Sequence, residues 1–173
     1  MRYRNDMSPE PKNEIKTFMR IGYNFNSAIA DIIDNSITAK ATKINITCPS
    51  EIDIPFLSIV DNGIGMEPEE LIDNMRIGCK DPNEKREAGD LGRFGSGMKT
   101  ASFSHARRLT VISKKKGKKL AGACWDIDDI EEKNAWCLRE LDEKDIKNFD
   151  HFDKDLINGV GTQLVWEKIK KFE

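Results

Sequence analysis

SAIADIIDNSITAKA, residues Ser27 to Ala41, is the stretch from which the rest of this chain is read. On a helix turning about 100° per residue, Ala28, Ile29, Ile32, Ile33, Ile37 and Ala39 fall on one broad apolar arc. Asp31, Asp34, Asn35 and Thr38 gather on the other side. Asp31 and Asn35 are spaced i, i+4, so their side chains lie one turn apart on a common face. That face offers an acid able to accept a proton and an amide oxygen able to ligate a hard cation. Asn26 or Ser27 suits the N-cap, and Lys40 and Lys43 suit the negative end of the dipole. By itself the pattern describes an amphipathic helix with a wet polar face. Two glycine-bearing segments downstream point further.

The chain has 173 residues, enough for one domain with a substantial core. Hydrophobic residues make up 38% and charged residues 34%, a polar globular composition. A net charge of −2 exerts no global pull on nucleic acid or anionic membrane. The local basic candidate is Lys114, Lys115, Lys116, Lys118 and Lys119 around Gly117. No apolar run approaches the ~20 residues of a membrane span, and the first residues lack the apolar core of a signal peptide. Cys48, Cys79, Cys124 and Cys137 are scattered without CxxC spacing, and only His105 and His151 could assist them. Neither a zinc site nor a disulfide framework is expected, and reduced thiols fit a cytoplasmic location.

Residues 1 to 13 read as a loose arm containing Pro9 and Pro11, and residues 14 to 173 as one domain. A short helix over Glu14 to Ile21 is expected before the main one. Strands follow at Lys43 to Cys48 and Phe56 to Val60, then a helix from Pro68 to Met75 with proline in its first turn. Residues 78 to 97 form a long glycine-rich loop, a length that in compact domains accompanies function or disorder. Further expectations are a helix over Met98 to Ala106 and a hairpin of Leu109 to Ser113 and Leu120 to Ile127 with a KKKGKK tip. A strand over Ala135 to Leu141, a helix over Glu143 to Phe149 and a last strand over Thr162 to Ile169 complete the chain. Trp125, Trp136 and Trp166 fall on predicted strands, as core or sheet-face residues. The pattern is α+β: a layer of helices on one face of a mixed, mostly antiparallel sheet.

DNGIGM, Asp61 to Met66, ends an apolar strand. Its carboxylate can accept from an exocyclic amine such as adenine presents, while Gly63 and Gly65 let backbone approach a flat ring. Asp-Asn-Gly is also good chemistry for a tight turn. GDLGRFGSGMKT, Gly89 to Thr100, places several glycines before a helix start, where backbone N–H groups and the dipole favour an anion, and Lys99 adds a charge. It is not a Walker A loop, because Met98 separates Gly97 from Lys99 and no apolar strand precedes it. The glycine order also fails the dinucleotide fingerprint.

Taken in order, the Asp31-Ile-Ile-Asp-Asn35 helix, DNGIGM, GRFGSGMK and Gly161-Thr162 resemble the GHKL ATPases, which take in DNA gyrase, heat-shock chaperones, histidine kinases and MutL. The wording is closest to the MutL, microrchidia and heat-shock type, and the resemblance covers about residues 20 to 168. It implies a two-layer α/β sandwich of the Bergerat type. It implies ATP and Mg²⁺ as ligands, with Asn35 on the metal, Asp61 and Thr162 on adenine, and Gly65 and Met66 shaping the base pocket. Gly92, Gly95, Ser96, Gly97, Met98 and Lys99 would form a lid hinge around the phosphates. Asp31 stands where the family usually has glutamate, the residue that orients or deprotonates the attacking water, and Thr38 replaces a common aspartate.

Aspartate is one methylene shorter than glutamate, which retracts the carboxylate by about an ångström. A general base needs hydrogen-bond reach to its proton, and misplacement of that size costs on the order of a hundredfold. Slow hydrolysis, or a backbone shift restoring reach, is therefore expected, with Asp31 and Lys99 as catalytic residues. Lid closure would act as a conformational or homodimerisation switch. The alternative is a nucleotide-responsive binding module that does not hydrolyse. A histidine kinase catalytic domain ranks behind both, since no helical histidine-bearing segment precedes the motifs. A C-terminal transducer or effector domain is expected as partner, with nucleic acid at the KKKGKK tip a further option.

Overall fold

The computed structural model describes residues 8–49, 55–77 and 97–169. Helix α1 spans Pro11–Arg20, starting with proline at the helix start and burying Ile15. It begins inside the stretch expected to be a loose arm. Helix α2 spans Phe25–Thr38, capped by Asn24, whose side chain accepts from the backbone N–H groups of Asn26 and Ser27. Strands β1 (Ile44–Thr47) and β2 (Leu57–Asp61) lead into α3 (Pro68–Met75), which opens on a capping box between Glu67 and Glu70. Helix α4 (Gly97–His105) runs straight into β3 (Ala106–Lys114), then β4 (Leu120–Asp126). Helix α5 (Ile127–Lys133), β5 (Arg139–Leu141), α6 (Glu143–Lys147), a 3-10 turn at Lys154–Ile157 and β6 (Gly161–Ile169) follow.

The strands form one six-stranded sheet in the order β1-β2-β6-β3-β4-β5. Every pairing among the described strands is antiparallel, so the sheet is less mixed than expected. The last strand inserts between β2 and β3, setting Asp61 opposite Thr162 and Ser113 opposite Thr162 on the other side. Alternation along the strands separates two cores. Leu57, Ile59, Leu109, Val111, Ala123, Trp125, Leu164 and Trp166 pack under the helices in the main core. Ile112 points the other way, where Ile146, Phe152 and Leu156 form a smaller cluster. Thus α6 and the 3-10 turn add a minor covering to the opposite face.

Helix α4 lies innermost among the helices, in contact with α1, α2 and β3. Trp166, fully buried, donates its indole N–H to Ser102 Oγ of α4 at 2.7 Å. Trp125 donates to the carbonyl of Met75 at 2.8 Å. Trp136 departs from expectation: it is 39% exposed, lies outside any strand and meets Trp125 edge-on. The strand expected from Ala135 is only Arg139–Leu141, because the chain first makes α5. Its signals were local: Asp126 as cap, acids in the first turn, and Asn134 in the left-handed conformation at its end.

Asp126 centres an ion cluster at one end of the sheet. It is buried and accepts from Arg108 at 2.9 Å and from Lys168 at 3.0 Å. Asp128 accepts from Arg107 and Lys168, and Asp129 accepts from Arg139. These hydrogen bonds hold the Asp128 and Asp129 carboxyls below the ordinary range, Lys168 and Arg107 acting on the first and Arg139 on the second.

Two outcomes are expected. Asp126→Ala removes the shared acceptor from two cations and the cap from α5, and should destabilise the domain by about 3 kcal/mol in urea melts. Because Asp128 and Asp129 are depressed in the fold, their contribution is present at neutral pH and is lost as pH falls below about 4. The urea midpoint should therefore drop on that acid limb, and Asp128→Asn should flatten the drop.

Candidate functional site

Helix α2 brings the first motif to the sheet. Ala28 and Ile32 are buried as the apolar arc requires, whereas Ile37 is 50% exposed and Ser36 is buried. The reason is that the last turn of α2 faces a polar loop rather than the core. Ser36 donates to Asp61 Oδ2 at 2.9 Å, and Asp61 Oδ1 accepts from the backbone N–H of Gly63 at 2.8 Å. Asp61 is 8% exposed, so nearly all of this carboxylate is inside.

The DNGIGM loop is tied to the end of α2. Asn62 Oδ1 accepts from the N–H groups of Thr42 and Lys43, both at 2.8 Å. Ile64 donates its N–H to the carbonyl of Ala39 at 2.9 Å. Gly65 has φ +65°, and a Cβ there would stand 2.1 Å from the Lys114 carbonyl oxygen. Only glycine meets both demands. Across the sheet, Gly161 has φ +143°, and its Cβ would come within 1.9 Å of the Asp61 carbonyl. Beside it Ser113, fully buried, joins three segments: it takes the N–H of Met66 at 2.8 Å, donates to Gly161 O and lies 2.8 Å from Thr162 Oγ1. Asp61, Gly65, Met66 and Thr162 thus converge at one end of the central strands.

Asp31 and Asn35 lie one turn apart along α2, Asp31 half-buried and Asn35 exposed. Tyr23 donates its hydroxyl to Asp31 Oδ2. That hydrogen bond, with burial and the negative charge, raises the Tyr23 phenol above its usual value. Gly97, at the start of α4, comes close enough that a Cβ would sit 3.6 Å from the same oxygen. Met98 is half-buried against the main core. Lys99 is 3% exposed, and its Nζ donates to the carbonyl of Asn74 in α3 at 2.6 Å. The sequence suggested a cation aimed at phosphates; here the ammonium is seated on a backbone carbonyl. Gly92, Gly95 and Ser96 lie outside the described residues, as does the expected loop up to Gly97.

The KKKGKK tip is a turn closing the β3–β4 hairpin, as expected. Its lysines are partly committed within the fold. Lys115 reaches Glu70 at 2.9 Å and Lys118 reaches Glu67 at 2.7 Å, tying the tip to the start of α3. Glu67 is held below the usual carboxylate range, chiefly by Lys118. Sequence reasoning missed Ser36, Ser113 and Tyr23. Ser36 adjoins Asn35 and had a signal in its place on the helix; Ser113 and Tyr23 had none, since their partners are remote in sequence.

Comparisons with known proteins agree with this fold. The family model described as "Histidine kinase-, DNA gyrase B-, and HSP90-like ATPase" matches residues 23–159. The mouse protein "ATPase MORC2B" is 33% identical over 91 residues, covering 51% of this chain and 9% of the mouse protein. "ATPase morc-1" of Caenorhabditis elegans is 32% identical over 91 residues, or 53% of this chain and 10% of its own length. "Chaperone protein HtpG" of Alcanivorax borkumensis is 31% identical over 110 residues, 57% of this chain and 18% of the chaperone. The matched stretches thus span less than a fifth of these relatives. With the family match running from Tyr23 through the helix bearing Asp31 and Asn35 and through DNGIGM to Gly159, the chain belongs to the histidine kinase-, DNA gyrase B- and HSP90-like (GHKL) ATPase family.

Proposed function

We propose that this GHKL ATP-binding module binds ATP with Mg²⁺, hydrolyses it slowly and uses lid closure over the phosphates as a conformational or dimerisation switch. The observation that supports it best is the buried Asp61 carboxylate at the end of β2. A carboxylate has about four acceptor positions. Ser36 and Gly63 use two of them, which leaves capacity for the amino group of adenine. Thr162 supplies a hydroxyl beside it, and Gly65 and Met66 would wall the base. Among the described residues no group of three or more His, Cys, Asp and Glu could hold a metal ion. Asn35 is an exposed hard oxygen donor, and Mg²⁺ is commonly held by few protein ligands together with substrate phosphates and water. Residue and ion therefore fit. Bound Mg²⁺ would supply neutralisation of phosphate charge.

The remaining roles fall to the chain's own groups. The N-terminus of α4, with Gly97, Met98 and Lys99, offers N–H groups and positive charge to an anion. Lys99 would share its ammonium between the Asn74 carbonyl and phosphate oxygens, having three N–H donors. Asp31 would orient the attacking water and take its proton on the oxygen not engaged by Tyr23. Phosphoryl transfer asks mainly for positioning and electrostatics, so even a retracted base can support turnover.

A second reading has its own support. The shortened acid at position 31 favours a module that binds ATP, closes and barely hydrolyses. Heat of ATP binding without phosphate release selects it. In either case we infer a cytoplasmic protein in which this domain acts as an ATP-dependent homodimer joined to a transducer or effector domain. The small fraction of MORC and HtpG relatives that the matched stretch represents supports the further domain in that inference. A nucleic-acid role for the tip would fall to Lys114, Lys116 and Lys119, since Lys115 and Lys118 pair with α3.

Calorimetry with Mg²⁺ and a non-hydrolysable ATP analogue tests the site. Asp61→Asn, which turns an amide donor toward the adenine amino group, should weaken binding at least about tenfold. Unchanged affinity would remove adenine from this position. In a phosphate-release assay, Asp31→Asn should lower kcat about a hundredfold while affinity for the analogue stays within about threefold.

A further inference from the structure

We propose that Tyr23 is the positioning residue for Asp31, its hydroxyl holding one carboxylate oxygen so that the other is presented to the attacking water. The inference rests on the hydrolysis reading above and adds a residue to it. Tyr23 directly precedes the α2 cap Asn24, and Gly22, at φ +69°, turns the chain between α1 and α2. The Tyr23 ring is half-buried against the main core, so the phenol is a donor fixed by packing rather than a loose surface group. Asp31 lies two turns into the helix. Helical side chains tilt toward the N-terminus, so Asp31 leans toward Tyr23. The hydroxyl donates to Oδ2, and the start of α4 at Gly97 stands beside the same oxygen. Oδ2 thus lies beside both a phenol and a helix start, which leaves Oδ1 as the oxygen for the proton.

The pair also answers the shortened acid. A glutamate at position 31 would carry its carboxylate one methylene further along and out of register with this hydroxyl. With aspartate, reach is lost and orientation is gained.

Tyr23→Phe keeps the ring and deletes the donor. In steady-state ATP hydrolysis by the full chain, kcat should fall about tenfold while KM for ATP stays within about twofold. Ring-labelled tyrosine NMR gives a readout independent of turnover, with Tyr3 as the only other tyrosine signal. The Tyr23 phenol should ionise above the usual value of about 10 and return toward it in Asp31→Asn. An unchanged kcat in Tyr23→Phe, or a parallel rise in KM, overturns the positioning role and leaves the hydrolysis reading intact. A Tyr23 titration indifferent to Asp31→Asn overturns the contact itself. Wild-type protein that binds ATP without turning it over overturns both the role and the hydrolysis on which it rests.

Discussion

A charged carboxylate inside a protein survives only when hydrogen bonds replace the water it has lost. Asp61 is that group here, 8% exposed at the end of β2 and held by Ser36 and Gly63. Meeting its demand fixes where α2 lies, because Ser36 has to sit over the end of the strand. The loop after Asp61 then folds back, with Asn62 on Thr42 and Lys43 and Ile64 on Ala39. On the other flank β6 can begin beside Asp61 because Gly161 carries no Cβ. Helix, loop and strand are arranged around one acid.

The second constraint is the polar lining of α4. Lys99, Ser102, Ser104 and His105 are all buried in a helix that has neighbours on several sides. Ser102 takes the indole N–H of Trp166, and Lys99 donates to Asn74. Trp125 reaches the adjacent carbonyl of Met75. The end of α3 and the start of α4 are therefore joined to each other and to the sheet. At its other end α3 is held to the β3–β4 hairpin by Lys115 and Lys118.

Most of the chain's charge does other work. The cluster around Asp126 joins β3, β4, α5, β5 and β6 where the sheet ends. Asp126 is buried, so its partners offset its desolvation, and removing one partner leaves an uncompensated charge. The exposed pairs, such as Arg76 with Asp73 and Lys147 with Glu143, contribute little by comparison. The paired residues of α5 and β3 are thus a matter of folding, while Asp31, Asn35 and Asp61 are the residues proposed for the nucleotide.

Much of this was legible from residue order alone. Proline and acids at Pro68, the turn chemistry of DNGIGM, the KKKGKK hairpin and the alternation of β6 are local effects, and each element appears within a few residues of expectation. Helix α5 was equally local in its caps and was overlooked beside a strand pattern. What only the tertiary structure decided is which side chains meet. Ile37 faces outward and Ser36 inward because the end of α2 packs on a polar loop, which periodicity cannot register. Ser113 bonds across to Met66 and Thr162, Lys99 turns to Asn74, and Tyr23 finds Asp31. Such contacts depend on relative placement of elements in space, whereas a motif records only what neighbouring residues do to one another along the chain.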